Sequence, residues 1–349
     1  MMELKQEGKT KIIQSKRTVD WLINNTQVRT FDPITFNGYQ RQIDEKHAQK
    51  IVDYILKRDF YFPTAIICSV EHYEEGENIE TLNVVDGQHR VHAFKMLKKQ
   101  DIERYNAIKN FEIPVIILVN PKLAVEIETF ITINKTSKTV DTSLAYVLKN
   151  KINKGNTEAI SNTARREYLA VEVARWLNTN VDCAIWNDKI LYEGSIRNRF
   201  EYITLNGFVR SMRALLGTLD KKHIVLCDWT SDITKEQLEQ KVKDIANFVE
   251  FVWKTVYKKW PDLQTDNHED SRVIQGTIGF TTINRYLIKR TPEFDGTDMN
   301  EYKKFVERII LNDIDVPSER WKKGGIYSKF TSESGYKAIV DDLLGNGIG

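Results

Sequence analysis

The chain has 349 residues, 41% hydrophobic and 29% charged, which excludes a disordered class and, at roughly 150 residues per domain, predicts about two globular domains. Lys and Arg number 51 against 49 Asp and Glu, a net charge of +2, so attraction for nucleic acid would have to come from a local patch rather than the whole surface. The N-terminal MMELKQEGKTKIIQSKR lacks an apolar signal core, and no run approaches the roughly 18 apolar residues of a membrane span. The three cysteines, Cys68, Cys183 and Cys227, form no CxxC pair, which argues against a disulfide framework or zinc knuckle. A cytoplasmic protein with no membrane partner is expected.

Up to about residue 150 the sequence alternates short β-rich runs with helical periodicity, the mark of an α/β unit. KHAQKIVDYILKR (46–58) places Ala48, Ile51, Val52, Ile55 and Leu56 at helical spacing, and Pro63 leads into the apolar run TAIICSV, a buried strand containing Cys68. EHYEEGENIE (71–80) reads as a polar turn and TLNVV (81–85) as a second strand. QHRVHAFKMLKK (88–99) follows as a helix burying Val91, Phe94 and Leu97. FEIPVIILV (111–119) is a third strand, Pro121 suits a helix start, and LAVEIETFITIN (123–134) is the next amphipathic helix. A further helix opens near Asp141 or Thr142, and KINKGNTE (151–158) reads as the inter-domain loop. The expected domains are 1–150 and 151–349.

Beyond that loop helices dominate, at 164–178, 206–217 and 235–260. In the last, Thr234 and Gln237 form a capping-box pattern, and Leu238, Val242, Ile245, Val249, Val252 and Val256 recur at spacings of four and three. Such a stripe can serve a coiled-coil partner, but Phe248, Trp253 and Trp260 widen the apolar face and favour burial inside the domain. The tail SESGYKAIVDDLLGNGIG carries one short amphipathic helix. The expected fold class is therefore α/β (α+β), an N-terminal α/β domain followed by a mainly α-helical domain.

The most chemically loaded stretch, NVVDGQHRVHAF (83–94), lies on a strand-to-helix turn. Gly87 permits the sharp turn, and the amides from Gly87 to His89 stand where a helix has no internal acceptors, so they attract anions. Arg90 and His89 add donors, and the Asp86 carboxylate is placed to hold Mg²⁺ against the same anion. The plainer alternative is that Asp86 caps the helix while His89, Arg90 and His92 cover a solvated face. No Walker loop, HExxH or GxSxG accompanies the turn, so His89 and His92 are poor metal candidates.

VVDGQHRVHAF closely resembles the signature of DGQHR-domain proteins, with Asp86 to Arg90 intact. The resemblance extends upstream to GYQRQIDEKHAQKIVDYIL (38–56) and downstream to FITINKTSKTVDTSL (130–144), with a weaker likeness at WKKGGIYSKFTSESGY. It implies a ParB/sulfiredoxin-like fold for the first domain, whose signature turn binds nucleotide phosphates. Gly87 and Arg90 match the glycine and last arginine of the ParB-type G-E-R-R, whereas Gln88 replaces the glutamate tied to metal and nucleotide turnover. Gln88 also stands where the sulfiredoxin motif G-C-H-R has its reactive cysteine, which excludes that chemistry. A related D-G-Q-Q-R turn is associated with nucleotide hydrolysis, so Asp86, Gln88 and His89 are the candidate catalytic groups and a nucleoside triphosphate with Mg²⁺ the candidate cofactor.

Relatives of this type sit in DNA phosphorothioation and deazaguanine-modification gene clusters, one of them as a regulator of its own cluster. The resemblance thus implies a protein of a DNA-modification or phage-defence system with nucleotide and DNA as partners, alongside a second copy or other proteins of the cluster. The alternative is a DNA-binding repressor of its own cluster with no enzymatic activity. By the same resemblance Arg41 joins Gly87 and Arg90 at the phosphate, while Asn134, by its chemistry, is a candidate to bond the nucleotide and Lys138 to neutralise its phosphate. An ion pair for Arg41 and ordinary C-capping for Asn134 and the lysines remain alternatives. For DNA contact the candidates are Arg197, Arg199, Arg210 and Arg213, with Glu167, Glu193 and Glu201 among them arguing for solvated ion pairs instead.

Overall fold

The computed structural model describes residues 2–4, 10–32, 35–57, 60–137, 142–153, 161–192, 202–228, 233–264 and 268–348. Apolar alternation and helical periodicity sort the first part into eleven elements. These are β1 (Met2–Leu4), β2 (Lys11–Thr18), α1 (Val19–Asn25), β3 (Thr26–Val28), α2 (Glu45–Leu56), β4 (Ile66–Val70), β5 (Leu82–Asp86), α3 (Gln88–Gln100), α4 (Ile102–Ile108), β6 (Glu112–Val119) and α5 (Leu123–Ser137). The strands form one mixed sheet in the order β1-β2-β6-β4-β5-β3. β4 runs parallel to β6 and antiparallel to β5, and β3 extends β5 in parallel.

One face of this sheet is apolar. Ile66, Cys68 and Val70 of β4, Leu82 and Val84 of β5 and Val115 and Ile117 of β6 join the buried residues of α1 to α4 in a single core, as a two-residue strand period requires. Val91, Phe94 and Leu97 of α3 are each at most 2% exposed in that core, and burial of such side chains stabilises by about 1.5–3 kcal/mol apiece. The Cys68 thiol lies within it, and burial pushes its pKa up to about 12, so it is a packing residue. The opposite face carries buried Ser69 and Asn83, and α5 packs on β5.

The chain divides into two compact units, Met1–Val140 and Asp141–Gly349. The second contains α6 (Thr142–Asn153), α7 (Asn162–Thr179), the short parallel strands β7 (Ile190–Leu191) and β8 (Ile203–Thr204), and α8 (Leu205–Lys221). It continues with α9 (Lys235–Lys259), α10 (His268–Gln275), α11 (Thr277–Arg290), α12 (Met299–Arg308) and α13 (Glu333–Leu343). The fold is thus mixed α/β in its first part and helical in its second, as the patterning predicts. The Thr234–Gln237 capping box forms in full. The long helix it opens buries Val242, Ile245, Phe248, Val249, Val252, Trp253 and Val256 inside its own unit, which resolves the heptad stripe in favour of the core. Trp186, Phe208, Trp253 and Phe280 make the centre of that core, with ring centroids 4.6–6.0 Å apart. Among the described residues no helix is long and apolar enough to cross a membrane.

Candidate functional site at the strand-to-helix turn

β5 ends at Asp86, and Gly87 takes φ +100° before α3 begins at Gln88. A left-handed backbone of this kind favours glycine. The missing side chain matters as well, because a Cβ on Gly87 would stand 2.9 Å from Arg90 Nη2 and 3.2 Å from Ile66 Cγ1. Across the sheet Asp86 pairs with Ile67, where β4 carries an irregularity between Ile67 and Cys68. Such bulges re-aim the neighbouring side chains and are common beside functional sites.

α3 starts without a side-chain cap. Arg90 N and Val91 N both bond to the Gly87 carbonyl, so the helix proper begins there, and the amides of Gln88 and His89 precede the first intrahelical bonds. Asp86 is not the N-cap, which removes the plainer reading of that residue. Its carboxylate is instead 3.5 Å from Arg90 Nη2 and about one third exposed.

The Arg90 guanidinium folds back over Gly87. Its Nη1 donates to the Thr64 carbonyl at 2.6 Å and to Thr64 Oγ1 at 3.0 Å, and its Nη2 donates to the Ala65 carbonyl at 2.9 Å. Burial lowers its pKa, opposed by Asp86 and Cys68. Arg90 therefore ties the first turn of α3 to the chain entering β4.

The segment 38–47 lies alongside the turn. Gly38, at φ +70°, lets the chain close against Thr30, whose carbonyl oxygen would be 1.9 Å from any Cβ there. Gln40 is 1% exposed and its Nε2 donates to the Val84 carbonyl. Gln88 is 7% exposed, and its Nε2 donates to the Arg41 carbonyl at 3.3 Å. The Oε1 atoms of both glutamines are buried with no partner among the described residues. Backbone N–H of Asp44 donates to His89 Nε2 at 3.2 Å, while the Asp44 carboxylate caps α2 by accepting from Lys46 N and His47 N. The His47 and His89 rings meet edge to face at 4.9 Å.

These surroundings disfavour the charged form of His89. Burial, and next the charge on His47, push its pKa below the ordinary histidine value, with His92 and Arg41 acting the same way and Asp44 opposing them. An Nε2 that accepts from a backbone N–H places the ring proton on Nδ1. His92 Nε2 lies 3.1 Å from Glu45 at the start of α2, so the two motif histidines face different partners. Among the described residues no three His, Cys, Asp or Glu side chains are grouped to hold a metal.

The turn thus gathers Asp86, Gly87, Gln88, His89 and Arg90, with Arg41 close enough for its charge to act on His89. Asn134 is engaged within its own helix, Nδ2 donating to the Phe130 carbonyl at 2.9 Å. Lys138, Arg197 and Arg199 lie outside the described residues. Arg210 and Arg213 stand on α8 in the second unit, where Arg213 Nη1 pairs with Glu167 at 2.6 Å and Arg210 Nη2 lies 3.8 Å from Glu333.

Sequence reasoning missed Asp44, His47 and Thr64, as well as a charged group on the polar face of the sheet. There Glu126 of α5, fully buried, accepts at Oε2 from Arg29 Nη1 at 3.2 Å and Tyr39 OH at 3.1 Å. Arg29 also reaches Glu71 at 2.8 Å. Burial, reinforced by the Glu126 charge, pushes the Tyr39 hydroxyl strongly up. The available signal was an acid four residues before Phe130, on the helix face that buries that ring.

The family model for DndB, described as DNA-sulfur modification-associated, matches residues 5–288. The chain belongs to the DndB family. The match runs through β2 to β6 of the sheet and on to α11 in the helical unit, and it makes this a protein associated with DNA-sulfur modification, in keeping with the resemblance to proteins of phosphorothioation clusters. Neither the curated proteins nor the solved structures give a significant match to the chain.

Proposed function

We propose that this DndB-family protein serves DNA-sulfur modification by binding the phosphates of a nucleoside triphosphate at the start of α3. The observation that carries the reading is the uncapped first turn of a thirteen-residue helix, entered through a left-handed glycine at the carboxyl end of β5. The amides of Gln88 and His89 with the helix dipole form an anion cradle there. Arg90 braces the turn by holding Thr64 and Ala65, and Arg41 supplies the positive charge beside it. Mg²⁺ commonly uses one or two protein carboxylates and completes its shell with water and phosphate oxygens. Asp86 offers the carboxylate, and the unpartnered Gln88 Oε1 offers a neutral oxygen nearby.

The test is calorimetric titration of the full chain with ATP, GTP and CTP in Mg²⁺, with phosphate release followed in the same samples. At least one nucleotide binds, and Arg41→Ala, which leaves the Arg90 brace intact, weakens it by about tenfold, as loss of one charge-assisted contact should. Absence of binding heat for all three nucleotides with folded protein rejects the reading. Phosphate release decides separately whether the bound nucleotide is hydrolysed.

A further inference from the structure

The helical unit contains a second place built for an anion. A cavity of about 300 Å³ opens among α8, α11 and α13, and three guanidinium groups line it, Arg210 and Arg213 from α8 and Arg285 from α11. Arg210 and Arg213 are one helical turn apart and so share a face. Arg285 comes from a separate element, so the convergence is tertiary.

The charges do not cancel within the wall. Arg213 is held by Glu167 at 2.6 Å. Arg285 and Arg210 share a single carboxylate, Glu333 of α13, with Arg285 Nη2 at 2.5 Å from Oε2 and Arg210 Nη2 at 3.8 Å from Oε1. One positive charge is in excess around a carboxylate gripped from two sides. A planar guanidinium fork that fits a carboxylate fits a phosphate equally well, and more strongly when the phosphate carries two charges.

The remaining wall is chosen for hydrogen bonding. Asn284 and Ser211 form a buried floor, 3% and 7% exposed, in which Asn284 Nδ2 donates to Ser211 Oγ at 2.9 Å and Ser211 Oγ to the Phe280 carbonyl at 3.3 Å. Thr277 and Thr281 add hydroxyl groups to the lining. Tyr336 supplies an aromatic face, with the Arg285 guanidinium carbon 5.4 Å from its ring centroid. The volume falls at the small end of the roughly 300–1,000 Å³ typical of ligand pockets, which suits a single nucleotide and excludes a duplex from entering it.

We propose that this cavity binds a small phosphate monoester of mononucleotide size, its phosphate taken by Arg210 and Arg285 in exchange for Glu333 and its flat portion resting against Tyr336. Glu333 is the counter-ion that the phosphate displaces. The site is independent of the turn in the first unit, because it uses none of that unit's residues. Glu333 and Tyr336 stand beyond residue 288, where the family match ends, so the wall closing the cavity is contributed by a part of the chain outside the matched region.

The experiment uses the full chain carrying Arg41→Ala, without Mg²⁺, and titrates it with 5′-AMP, inorganic phosphate, adenosine and a short DNA duplex. The expected result is that 5′-AMP binds, phosphate binds more weakly and competes with it, and adenosine does not bind. Arg285→Gln should weaken 5′-AMP by about tenfold or more, the loss expected for one charge-assisted contact, whereas Glu333→Gln should tighten it by removing the competing carboxylate. Unchanged denaturation midpoints for both variants show that the effects are local. The proposal is overturned by absence of 5′-AMP binding at millimolar concentration, by adenosine binding as tightly as 5′-AMP, or by indifference to both substitutions. Duplex binding that depends on Arg285 without any 5′-AMP binding also overturns it, in favour of a contact with the DNA backbone.

Discussion

The turn after β5 and the cavity beside α8 use arginine in opposite ways. At the turn, Arg90 is the motif residue, yet its donors engage Thr64, Ala65 and Asp86 within the first unit, and the anion site that remains is made of backbone amides. At the cavity no motif marks Arg210, Arg213 or Arg285, and their partners are carboxylates on other helices, Glu333 among them about two thirds exposed. A guanidinium that is itself largely buried and bonded to backbone carbonyls is part of the fold, since in that position it has few alternative partners. One bonded to an exposed carboxylate can exchange it for another anion at small cost. Presence in a signature therefore does not by itself make a residue the one that touches the ligand.

The distinction predicts stability effects of very different size. The largest belongs to Glu126, the extreme case of a charge committed to the fold, whose replacement by Ala leaves, among the described residues, Arg29 with Glu71 and removes the acceptor of Tyr39 OH. Breaking a buried ion pair in this way costs about 3–5 kcal/mol, and with Arg29 still bonded to Glu71 the lower end is expected in urea unfolding. Tyr39→Phe, which removes one hydrogen bond to the carboxylate but leaves the ion pair, should cost less, about 1.5–2 kcal/mol. A Glu126→Ala loss no larger than that of Tyr39→Phe would show that the group is more solvated than its burial implies.

Arg90→Ala comes next, at about 2–3 kcal/mol, because hydrogen bonds from a charged donor to two carbonyls are lost together. Arg285→Ala is its counterpart in the second unit and should stay within about 1 kcal/mol, as exposed ion pairs do. Equal losses in paired urea titrations would erase the contrast between a guanidinium that builds the fold and one that lines a cavity.

Much of the first site was legible because its signals are local. The β5 strand, the glycine and the α3 periodicity stand within nineteen consecutive residues, and the elements 82–86 and 88–100 follow the pattern closely. The upstream likeness at GYQR also pointed to the right neighbour, since Gln40 and Arg41 lie against Val84 and Gln88. The strand β2 gave little warning, because only Ile13 among its eight residues is buried and a two-residue period needs a consistent apolar face. The division near residue 150 followed the polar run KINKGNTE, of which residues 154–158 lie outside those described. α6, just before it, packs on α7 and α8, a preference that no local composition reveals. The cavity was illegible for a related reason: Arg285 is far from Arg210 in sequence, and only the packing of α11 on α8 brings them to one wall.

Gly87→Ala sharpens the account of the turn itself. The left-handed backbone costs a non-glycine residue about 1–3 kcal/mol, and the new Cβ would press on the Arg90 guanidinium. The expected loss is about 2 kcal/mol together with weaker nucleotide binding. Addition of Gly87→Ala to Arg90→Ala should cost less than the sum, because the clash disappears with the guanidinium. Strict additivity in the double-mutant cycle would mean that the glycine is required for its backbone alone.

The smallest effect is a slope against pH, and it concerns His89. Its pKa in the folded chain lies below that of the unfolded chain, chiefly through burial and then His47. Below about pH 6.5, the ordinary histidine value, the unfolded chain takes up a proton that the folded chain refuses, so unfolding binds protons and stability falls as pH falls. Above that value the contribution is fully present, and it is lost progressively as pH drops toward the folded pKa. His47, Asp44, His92 and Arg41 all face the ring and would bend a simple titration curve, so the comparison must be between wild type and His89→Gln, which keeps an acceptor for the Asp44 N–H. The urea midpoint of the wild type should decline more steeply between pH 7 and pH 5 than that of the variant. Parallel curves would mean that a charged imidazole is tolerated between α2 and α3, and the cradle at Gln88 and His89 would then have a cation beside it in acid that it lacks at neutral pH.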